Sequence, residues 1–468
     1  MRPVSSSAVN APCLESALAE LQILLGSRVT TSTIQREHHS HGESYHSPAL
    51  PDIVCFPQET REVSEIMRIS ARHHVPVIPF GAGTSVEGQV NAIHGGITID
   101  LRQLNKILRT SVVDCDATVE AGVTRLQLVK ALQNTGVTFF VDPGADATIG
   151  GMASTRASGT TTVRYGTMSE NVLGLTVVLP DGRVIRTGSR ARKSSSGYDL
   201  THLFVGSEGT LGVITEVTLR LHPRPEAVSV AICSFESVHG AIETVIEGIQ
   251  LGAGLARIEF LDDKQIEAIN QYCRIDLPVV PTLFFEFHGM TKREVEERAE
   301  LLQSLAKEHG GRGFKWRTDV REMEELWSAR HNAYFAARAL RPGAEVLTTD
   351  VCVPISSLAE CISETKNDLA NFSFPGTIVG HVGDGNFHVL CVIDPKNPAE
   401  VEEAQRFSER IVKRALRLSG TCTGEHGVGL GKMKYLADEH GAAVDVMRAI
   451  KRALDPDNRM NPGKILDL

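Results

Sequence analysis

Two histidines seven positions apart, His381 and His388, have the spacing in this sequence that points most directly to chemistry. Apolar, strand-like runs flank them, and Asp384 and Gly385 between them are a typical hairpin signal. In one continuous strand, the two side chains would point to opposite faces. A turn centred between Asp384 and Gly385 instead pairs position 381 directly with position 388. Because directly opposed side chains share a face about 5 Å apart, we predict that the two imidazoles can chelate one ion.

A third ligand is offered by a short motif further along the chain, where Glu425 and His426 lie among three glycines. Two histidines and one carboxylate leave coordination positions open for water or substrate, as in a catalytic metal centre. We therefore predict a divalent metal held by His381, His388 and Glu425. The alternative is structural, namely a pair of cross-strand histidines that are hydrogen-bonded to carboxylates.

Segments rich in glycine, serine and threonine occur four times between residues 79 and 214. The first follows a predicted strand and contains Gly81 and Gly83, but Gly88 comes too late for the dinucleotide fingerprint G-x-G-x-x-G. Successive backbone N–H groups in such a loop can still bind an anion. Small residues at this density let backbone amides approach a long, planar, polar ligand, so the pattern favours a dinucleotide-type cofactor over ordinary surface loops.

Composition excludes several classes of protein. A formal net charge of -9, without a long basic run, argues against nucleic acid and against an anionic membrane surface. The nine cysteines include no C-x-x-C pair, which argues against disulfides, a cysteine-type zinc site and an iron–sulfur cluster. No apolar stretch is long enough to span a membrane.

Residues 1–7 resemble neither a secretory signal nor a full transit peptide, so we expect a cytoplasmic protein. Association at the periphery of the inner membrane and a mitochondrial matrix location are the alternatives.

The predicted elements divide the chain into four parts and indicate an α+β fold. Residues 1–48 contain a helix and a polar loop with four histidines, which we expect to be solvated. Residues 49–225 are rich in strands, and a β-α-β unit in them leads into the glycine loop. The proline-rich stretch 222–226 predicts a stiff linker. Residues 226–446 indicate helices packed on an antiparallel sheet, and residues 447–468 form a C-terminal segment.

Taken together, these motifs resemble the FAD-linked oxidases of the vanillyl-alcohol-oxidase and p-cresol-methylhydroxylase (PCMH) type. Within that class, the sequence is most similar to the family of D-lactate dehydrogenase (cytochrome) and the glycolate-oxidase large subunit. The resemblance covers nearly the whole chain, from residue 51 to residue 466. The segments that carry it are residues 79–84, 142–146, 164–167, 206–212, 380–388, 424–427 and 461–464.

The resemblance implies a PCMH-type FAD-binding domain of two subdomains, a substrate (cap) domain that carries the metal, and a C-terminal segment that returns to the flavin. Non-covalent binding of FAD is expected, because residues 79–90 contain no histidine or cysteine for attachment. The residues that the resemblance assigns to the cofactor are Pro79, Gly81, Ala82, Gly83, Thr84, Ser85, Pro143, Gly144, Gly150, Gly151, Ser154, Ser158, Gly159, Glu208, Gly212, Ile214 and Asn461.

The resemblance also implies the oxidation of a small D-2-hydroxy acid, with D-lactate to pyruvate as the best match. Arg330 matches the arginine that grips the substrate carboxylate, and zinc or manganese, the usual metals of the family, would lower the pKa of the substrate hydroxyl. His426 would take the hydroxyl proton, while a hydride passes from the substrate carbon to the flavin. Glycolate and larger D-2-hydroxy acids stay open as alternatives.

The electrons must then leave to an external acceptor, because the chain has no cluster ligands of its own. A cytochrome, a quinone, an electron-transfer flavoprotein and a partner subunit all stay open, and so does a homodimer. No nucleic acid and no transmembrane segment are expected. The competing interpretations are an oxidase that passes electrons to oxygen and a flavin-free metal-binding or scaffold subunit.

Overall fold

The structure is a computed structural model that describes residues 11–468, so the interpretation of residues 1–7 lies outside the described residues. The chain forms two compact units that alternate along the sequence. Of the described residues, the first unit contains residues 11–158, Gly166–Arg224 and Glu425–Leu468. The second unit contains Gly159–Tyr165 and Pro225–Gly424. The returning segment therefore begins at Glu425 rather than at residue 447, and residues 11–48 belong to the first unit.

The strands are on average shorter in the first unit than in the second. In chain order they are β1 (Val29–Thr30), β2 (Ile53–Cys55), β3 (Val77–Phe80), β4 (Ile97–Asp100), β5 (Ile107–Ser111), β6 (Asp116–Glu120), β7 (Val137–Thr138), β8 (Val172–Val178), β9 (Val184–Arg186), β10 (Val213–Arg220), β11 (His222–Pro223), β12 (Ala227–Phe235), β13 (Leu255–Leu261), β14 (Thr282–Gly289), β15 (Gly311–Arg317), β16 (Glu345–Thr348), β17 (Val351–Cys352), β18 (Gly376–His381) and β19 (Asn386–Ile393).

The longer helices lie mostly in the second unit. In chain order the helices are α1 (Ala11–Leu25), α2 (Thr33–His38), α3 (Thr60–His73), α4 (Arg125–Ala131), α5 (Ile149–Thr155), α6 (Thr162–Tyr165), α7 (Met168–Asn171), α8 (Leu200–Phe204), α9 (Val238–Gln250), α10 (Asp263–Cys273), α11 (Lys292–Glu308), α12 (Val320–His331), α13 (Ala333–Ala339), α14 (Ile355–Leu369), α15 (Pro398–Arg417), α16 (Leu436–His440) and α17 (Ala443–Leu454).

The first sheet of the first unit has the strand order β1–β2–β4–β3. β2 and β3 both pair with β4 in parallel, and α3 is the crossover between them, as the β-α-β pattern predicted. Val63 and Ile66 on α3 are buried in the same core as Leu21 of α1. The N-terminal helix is part of this unit because its apolar face completes that core rather than a separate one.

The second sheet of the first unit is antiparallel, with the strand order β5–β6–β10–β8–β9. A two-stranded pair, β7 with β11, adds the beginning of the stretch that we predicted as a linker, since His222 pairs with Thr138. The returning segment is bound to the first sheet through Met460, which bridges to Val77 of β3. The α+β prediction is confirmed.

The second unit is built on one eight-stranded sheet in the order β15–β12–β14–β13–β18–β19–β16, with β17 also paired to β19. All of its pairings are antiparallel, as predicted. Helices α10, α12 and α13 contribute to a core that includes Ile232, Phe284 and Leu390. Between these apolar residues, the sheet also buries several charged side chains.

The prediction that the four-histidine loop is solvated is wrong for His39. His39 is completely buried, with its Nε2 3.0 Å from an Asp100 carboxylate oxygen and its Nδ1 2.7 Å from the Gln35 carbonyl oxygen. The backbone at Gly42 packs tightly against Ser85, because a Cβ there would lie 2.5 Å from the Ser85 carbonyl oxygen. This loop therefore supports the glycine loop that follows β3.

Within residues 11–468, none of the helices combines the length and the apolar character that a membrane crossing requires.

Candidate active site

The hairpin of β18 and β19 has a different register from the predicted one. His381 pairs with Asn386, and His388 pairs with Val379, so the prediction that residue 381 opposes residue 388 is wrong. The pairing is shifted by two residues, and an even shift keeps each side chain on its original face. His381 and His388 therefore still share a face as diagonal neighbours, with ring centroids 5.5 Å apart.

The register follows from where the tight turn closes. Gly385 has a φ of +79°, and a Cβ on it would lie 2.0 Å from the Val353 carbonyl oxygen, so only glycine fits at the end of this loop. The Gly385 N–H is hydrogen-bonded to the Val382 carbonyl within the turn. The turn is thus centred between Gly383 and Asp384, one residue earlier than the Asp384–Gly385 centre that we predicted.

Both histidines have their Nδ1 atom engaged by an acceptor. Nδ1 of His381 lies 2.6 Å from a Glu259 carboxylate oxygen, and Nδ1 of His388 lies 2.9 Å from the Thr349 carbonyl oxygen. A carboxylate and a carbonyl can only accept, so each Nδ1 carries the hydrogen and the lone pair of the neutral ring is on Nε2. This arrangement, in which an outer acceptor fixes the tautomer, is typical of metal-binding histidines.

The carboxylate of Glu259 links His381, a predicted metal ligand, to Arg330, the predicted substrate-binding arginine. One carboxylate oxygen binds His381, and the other accepts from Nε and Nη2 of Arg330 at 2.8 and 2.6 Å. Glu259 is fully buried on β13. Burial alone would raise its pKa, but the charges and hydrogen bonds of His381 and Arg330 together hold the pKa below its usual value. Our sequence reasoning missed this residue, although a glutamate inside the apolar strand was a usable signal.

A second cluster of the same residue types lies on β13 and β14. Nε2 of His288 lies 2.7 Å from a Glu286 carboxylate oxygen, and Arg257 donates to the other carboxylate oxygen at 3.2 Å. The Tyr165 hydroxyl lies 2.7 Å from Nδ1 of His288. The Arg257 guanidinium also lies 5.3 Å from the centre of the Trp327 ring. The register pairs Arg257 with Glu286, so both residues point to the same face of the sheet.

The last residues of the second unit pack on the histidine hairpin. The Asn386 amide donates to an Asp350 carboxylate oxygen at 2.8 Å, and the Thr423 hydroxyl donates to the other at 2.7 Å. A Cβ on Gly424 would lie 2.2 Å from the Asn386 amide nitrogen, so the backbone approaches this side chain closely. Glu425, the predicted third ligand, follows Gly424 directly in the chain.

Glu425 and His426 are the first two residues of the segment that returns to the first unit. The Ser158 hydroxyl donates to a Glu425 carboxylate oxygen at 2.5 Å, and the Gln89 amide donates to the His426 carbonyl oxygen at 2.8 Å. Ser158, a predicted cofactor residue, is thereby brought to the carboxylate of a predicted metal ligand.

Glu208, another predicted cofactor residue, instead orders the returning backbone. Its carboxylate accepts from the N–H groups of Val428 and Gly429 at 2.7 and 2.8 Å. Burial raises the pKa of Glu208 to about 7, while these two hydrogen bonds oppose that rise. The Asn461 amide donates to the carbonyl oxygens of Gln89 and Glu208 at 2.9 and 2.8 Å. Asn461 therefore contacts the backbone at Gln89, directly after the glycine loop, and at Glu208.

The glycine loop has features that suit a bound cofactor. A Cβ on Gly81 would lie 2.3 Å from the Thr148 hydroxyl, so this backbone is held close to the start of α5. The hydroxyl oxygens of Ser85 and Ser207 are buried without a hydrogen-bond partner among residues 11–468. Buried hydroxyls normally have a partner, and polar atoms of a bound ligand within reach of either hydroxyl would supply one. The residues present therefore fit a polar cofactor such as FAD.

The predicted cofactor residues occupy several places, and most of them lie in loops or at element ends. Pro79 is in β3, Gly81, Ala82, Gly83, Thr84 and Ser85 follow it, Pro143 and Gly144 precede α5, Gly150, Gly151 and Ser154 are in α5, Ser158 and Gly159 come after it, Glu208 and Gly212 precede β10, Ile214 is in β10, and Asn461 follows α17. All of them except Gly159 belong to the first unit.

Comparison with known proteins identifies the family. The family described as "FAD binding domain" matches residues 51–188, and the family described as "FAD linked oxidases, C-terminal domain" matches residues 224–465. The fold resembles p-cresol methylhydroxylase, with a TM-score of 0.77 at 18% identity over 98% of this chain and 97% of that one. The predicted PCMH-type fold is thus confirmed.

The curated relatives cover nearly all of the chain. A probable mitochondrial D-lactate dehydrogenase of Danio rerio is 50% identical over 94% of this chain and 89% of its own length. The mitochondrial D-lactate dehydrogenase [cytochrome] of Arabidopsis thaliana is 44% identical over 96% and 80%. Glycolate oxidase subunit GlcD of Bacillus subtilis is 35% identical over 89% of both chains. The chain is therefore a flavin-dependent oxidoreductase that belongs to the FAD-linked oxidase family.

These relatives also correct the expected compartment. The cytoplasmic prediction is wrong, because the most similar of these relatives carry mitochondrial names. The folded body of an enzyme does not encode its compartment, whereas a terminal address segment does. The composition of residues 1–7 was too weak a basis for the prediction.

Proposed function

We propose that this enzyme oxidises D-lactate to pyruvate with FAD and a divalent metal, and that it passes the electrons to a cytochrome-type acceptor. The observation that carries the proposal is the pair His381 and His388, whose Nδ1 atoms are both engaged so that both Nε2 lone pairs suit a metal. The two D-lactate dehydrogenase relatives, at 50% and 44% identity, support the substrate. Their mitochondrial names support a mitochondrial location for this protein.

The metal is proposed to be zinc or manganese, held by His381, His388 and Glu425. Glu425 directly follows Gly424, whose backbone packs on Asn386 beside the same hairpin. The Ser158 hydroxyl donates to one Glu425 oxygen, and this hydrogen bond orients the carboxylate. When bound, such an ion supplies a Lewis acid that lowers the pKa of the substrate hydroxyl.

The remaining steps are assigned to side chains of this chain. Arg330, already oriented by Glu259, is proposed to bind the substrate carboxylate and so to fix which face of the reacting carbon is presented. His426 is proposed to accept the proton of the substrate hydroxyl, since an imidazole titrates near neutral pH. The glycine loop with Ser85 is proposed to hold FAD, which supplies the two-electron acceptor.

The test is anaerobic bleaching of the flavin by D-lactate and by L-lactate, with and without a chelator. D-lactate should bleach the flavin, L-lactate should not, and removal of the metal should abolish bleaching while FAD stays bound. Equal bleaching after complete metal removal would show that the histidine pair is structural. In the same experiment, His426→Ala should slow bleaching strongly with little change in the D-lactate concentration needed for half-saturation.

Glycolate is the second candidate substrate, because the glycolate oxidase subunit of Bacillus subtilis is 35% identical over most of both chains. Glycolate lacks the methyl group of lactate and is not chiral. Faster anaerobic bleaching by glycolate than by D-lactate at equal, subsaturating concentration would therefore favour this alternative. The reduced enzyme should reoxidise slowly in air, whereas rapid reoxidation would indicate an oxidase.

A further inference from the structure

We propose that Glu259 is a positioning residue that couples the metal site to the substrate carboxylate. The inference rests on the proposed function and deepens it, because it assigns a role to a residue that the family motifs do not contain. Glu259 does not need to touch substrate or metal. It acts through His381 on one side and through Arg330 on the other.

The geometry gives each partner its own carboxylate oxygen. Oε1 is 2.6 Å from Nδ1 of His381, and Oε2 accepts both Nε and Nη2 of Arg330. With two adjacent guanidinium nitrogens on one oxygen, the Arg330 plane is fixed relative to the His381 ring. One buried carboxylate therefore sets both the ring orientation of a metal ligand and the direction of the substrate-binding arginine.

Burial makes this coupling strong and difficult to replace. The side chain of Glu259 is completely shielded, and those of His381 and Arg330 are only 11% and 13% exposed. Charge-assisted hydrogen bonds are little weakened by solvent at such a place, and water cannot easily replace a lost acceptor. A neutral amide at position 259 has only one acceptor oxygen, so it can serve His381 or Arg330 but not both.

The test measures metal and substrate affinity separately in the FAD-bound protein. Mn²⁺ binding is followed by the electron paramagnetic resonance signal of the free ion, and D-lactate affinity by anaerobic flavin reduction at saturating Mn²⁺. Glu259→Gln should weaken Mn²⁺ binding about 10- to 100-fold, which is the usual effect of removing an outer partner of a metal ligand, and should also raise the half-saturating D-lactate concentration. FAD content should not change.

Glu286→Gln is the matched control. Glu286 is also a buried glutamate on the same sheet that joins a histidine and an arginine, and its partners are His288 and Arg257. This variant should keep both affinities within about twofold of the wild-type values. If Glu259→Gln fails to fold, Glu259→Asp keeps both acceptor oxygens but retracts them by one carbon, and a smaller loss of both affinities is expected.

Wild-type affinities for both Mn²⁺ and D-lactate in a folded Glu259→Gln or Glu259→Asp protein would overturn the coupling role. Equal losses in Glu286→Gln would also overturn it, because the effect would then reflect any buried glutamate of the sheet. A wild-type protein that binds no Mn²⁺ would instead refute the metal part of the proposed function. The two failures are therefore distinguishable.

Discussion

The second unit contains two clusters that each consist of a glutamate, a histidine and an arginine. The two clusters differ in which ring nitrogen of the histidine the glutamate contacts. In the Glu259 cluster, the glutamate holds Nδ1 of His381, so the lone pair of the ring is on Nε2. In the Glu286 cluster, the glutamate holds Nε2 of His288, and the lone pair on Nδ1 receives the Tyr165 hydroxyl. Both ring nitrogens of His288 are therefore engaged by other side chains of the protein.

The difference teaches that residue type alone does not identify a reactive site. Both glutamates are buried, and neighbouring positive charge and hydrogen bonds hold the pKa of each below its usual value despite burial. What separates the clusters is the ring nitrogen that the glutamate engages and the partner at the other nitrogen. We interpret the Glu259 cluster as part of the catalytic machinery and the Glu286 cluster as structural.

The most direct test of the difference between the two clusters is to replace one histidine at each of them. His388→Ala should abolish turnover and metal binding, because it removes a proposed metal ligand. His288→Ala should keep most of the activity and lose stability instead. Metal content by atomic emission, flavin content by absorbance and turnover with D-lactate check both outcomes. Equal loss of activity would make the second cluster catalytic as well.

The arginines allow a second, smaller contrast. Arg330→Lys keeps a positive charge but loses the planar guanidinium group, which can donate two hydrogen bonds to one carboxylate. The kcat/KM for D-lactate should therefore fall about 10- to 1,000-fold. Arg257→Lys should change kcat/KM less than about threefold. Steady-state kinetics over a range of D-lactate concentrations separates the two. A large effect of Arg257→Lys alone would place the substrate carboxylate at the other cluster.

The smallest expected effect concerns acid stability. Because the folded-state pKa of Glu286 lies below its unfolded value, its charge stabilises the fold above the unfolded pKa, and this stabilisation is lost as the pH falls through the folded pKa. Glu286→Gln should therefore be less stable than the wild type at neutral pH, and this difference should shrink at pH values below about 4. Urea unfolding at pH 7 and in the acid range measures it. A pH-independent difference would contradict the assignment.

The sequence was sufficient for those features that depend on local periodicity. The β-α-β unit, the helix Ala443–Leu454 and the antiparallel character of the second sheet follow from apolar spacing and from proline and glycine punctuation. The shared face of His381 and His388 was also predictable, because alternation along a strand survives an even shift of register. The register itself was not, since it depends on Val353, whose carbonyl lies against Gly385 in the folded chain.

The long-range partners could not be predicted from the sequence. Glu259 is far from Arg330 and His381 along the chain, and only the pairing of β13 with β18 and the packing of α12 bring them together. The same is true of Ser158 with Glu425 and of Glu208 with the backbone at residues 428 and 429. The site residues assigned to the cofactor stay predictions, because their family motifs say which residues matter and not what each one contacts.

The interrupted path of the first unit has a consequence for how the protein is made. Lys451 donates to the carbonyl oxygens of Thr210 and Met460 at 2.8 and 2.9 Å, and Met460 bridges to Val77, so the last elements of the chain complete a core that the first elements begin. During synthesis, the early strands must wait for the ribosome to deliver these residues. The second unit, whose main segment is continuous, can fold while the first is still incomplete. Nascent chains that stall before residue 460 should therefore expose an unfinished first sheet to chaperones and proteases.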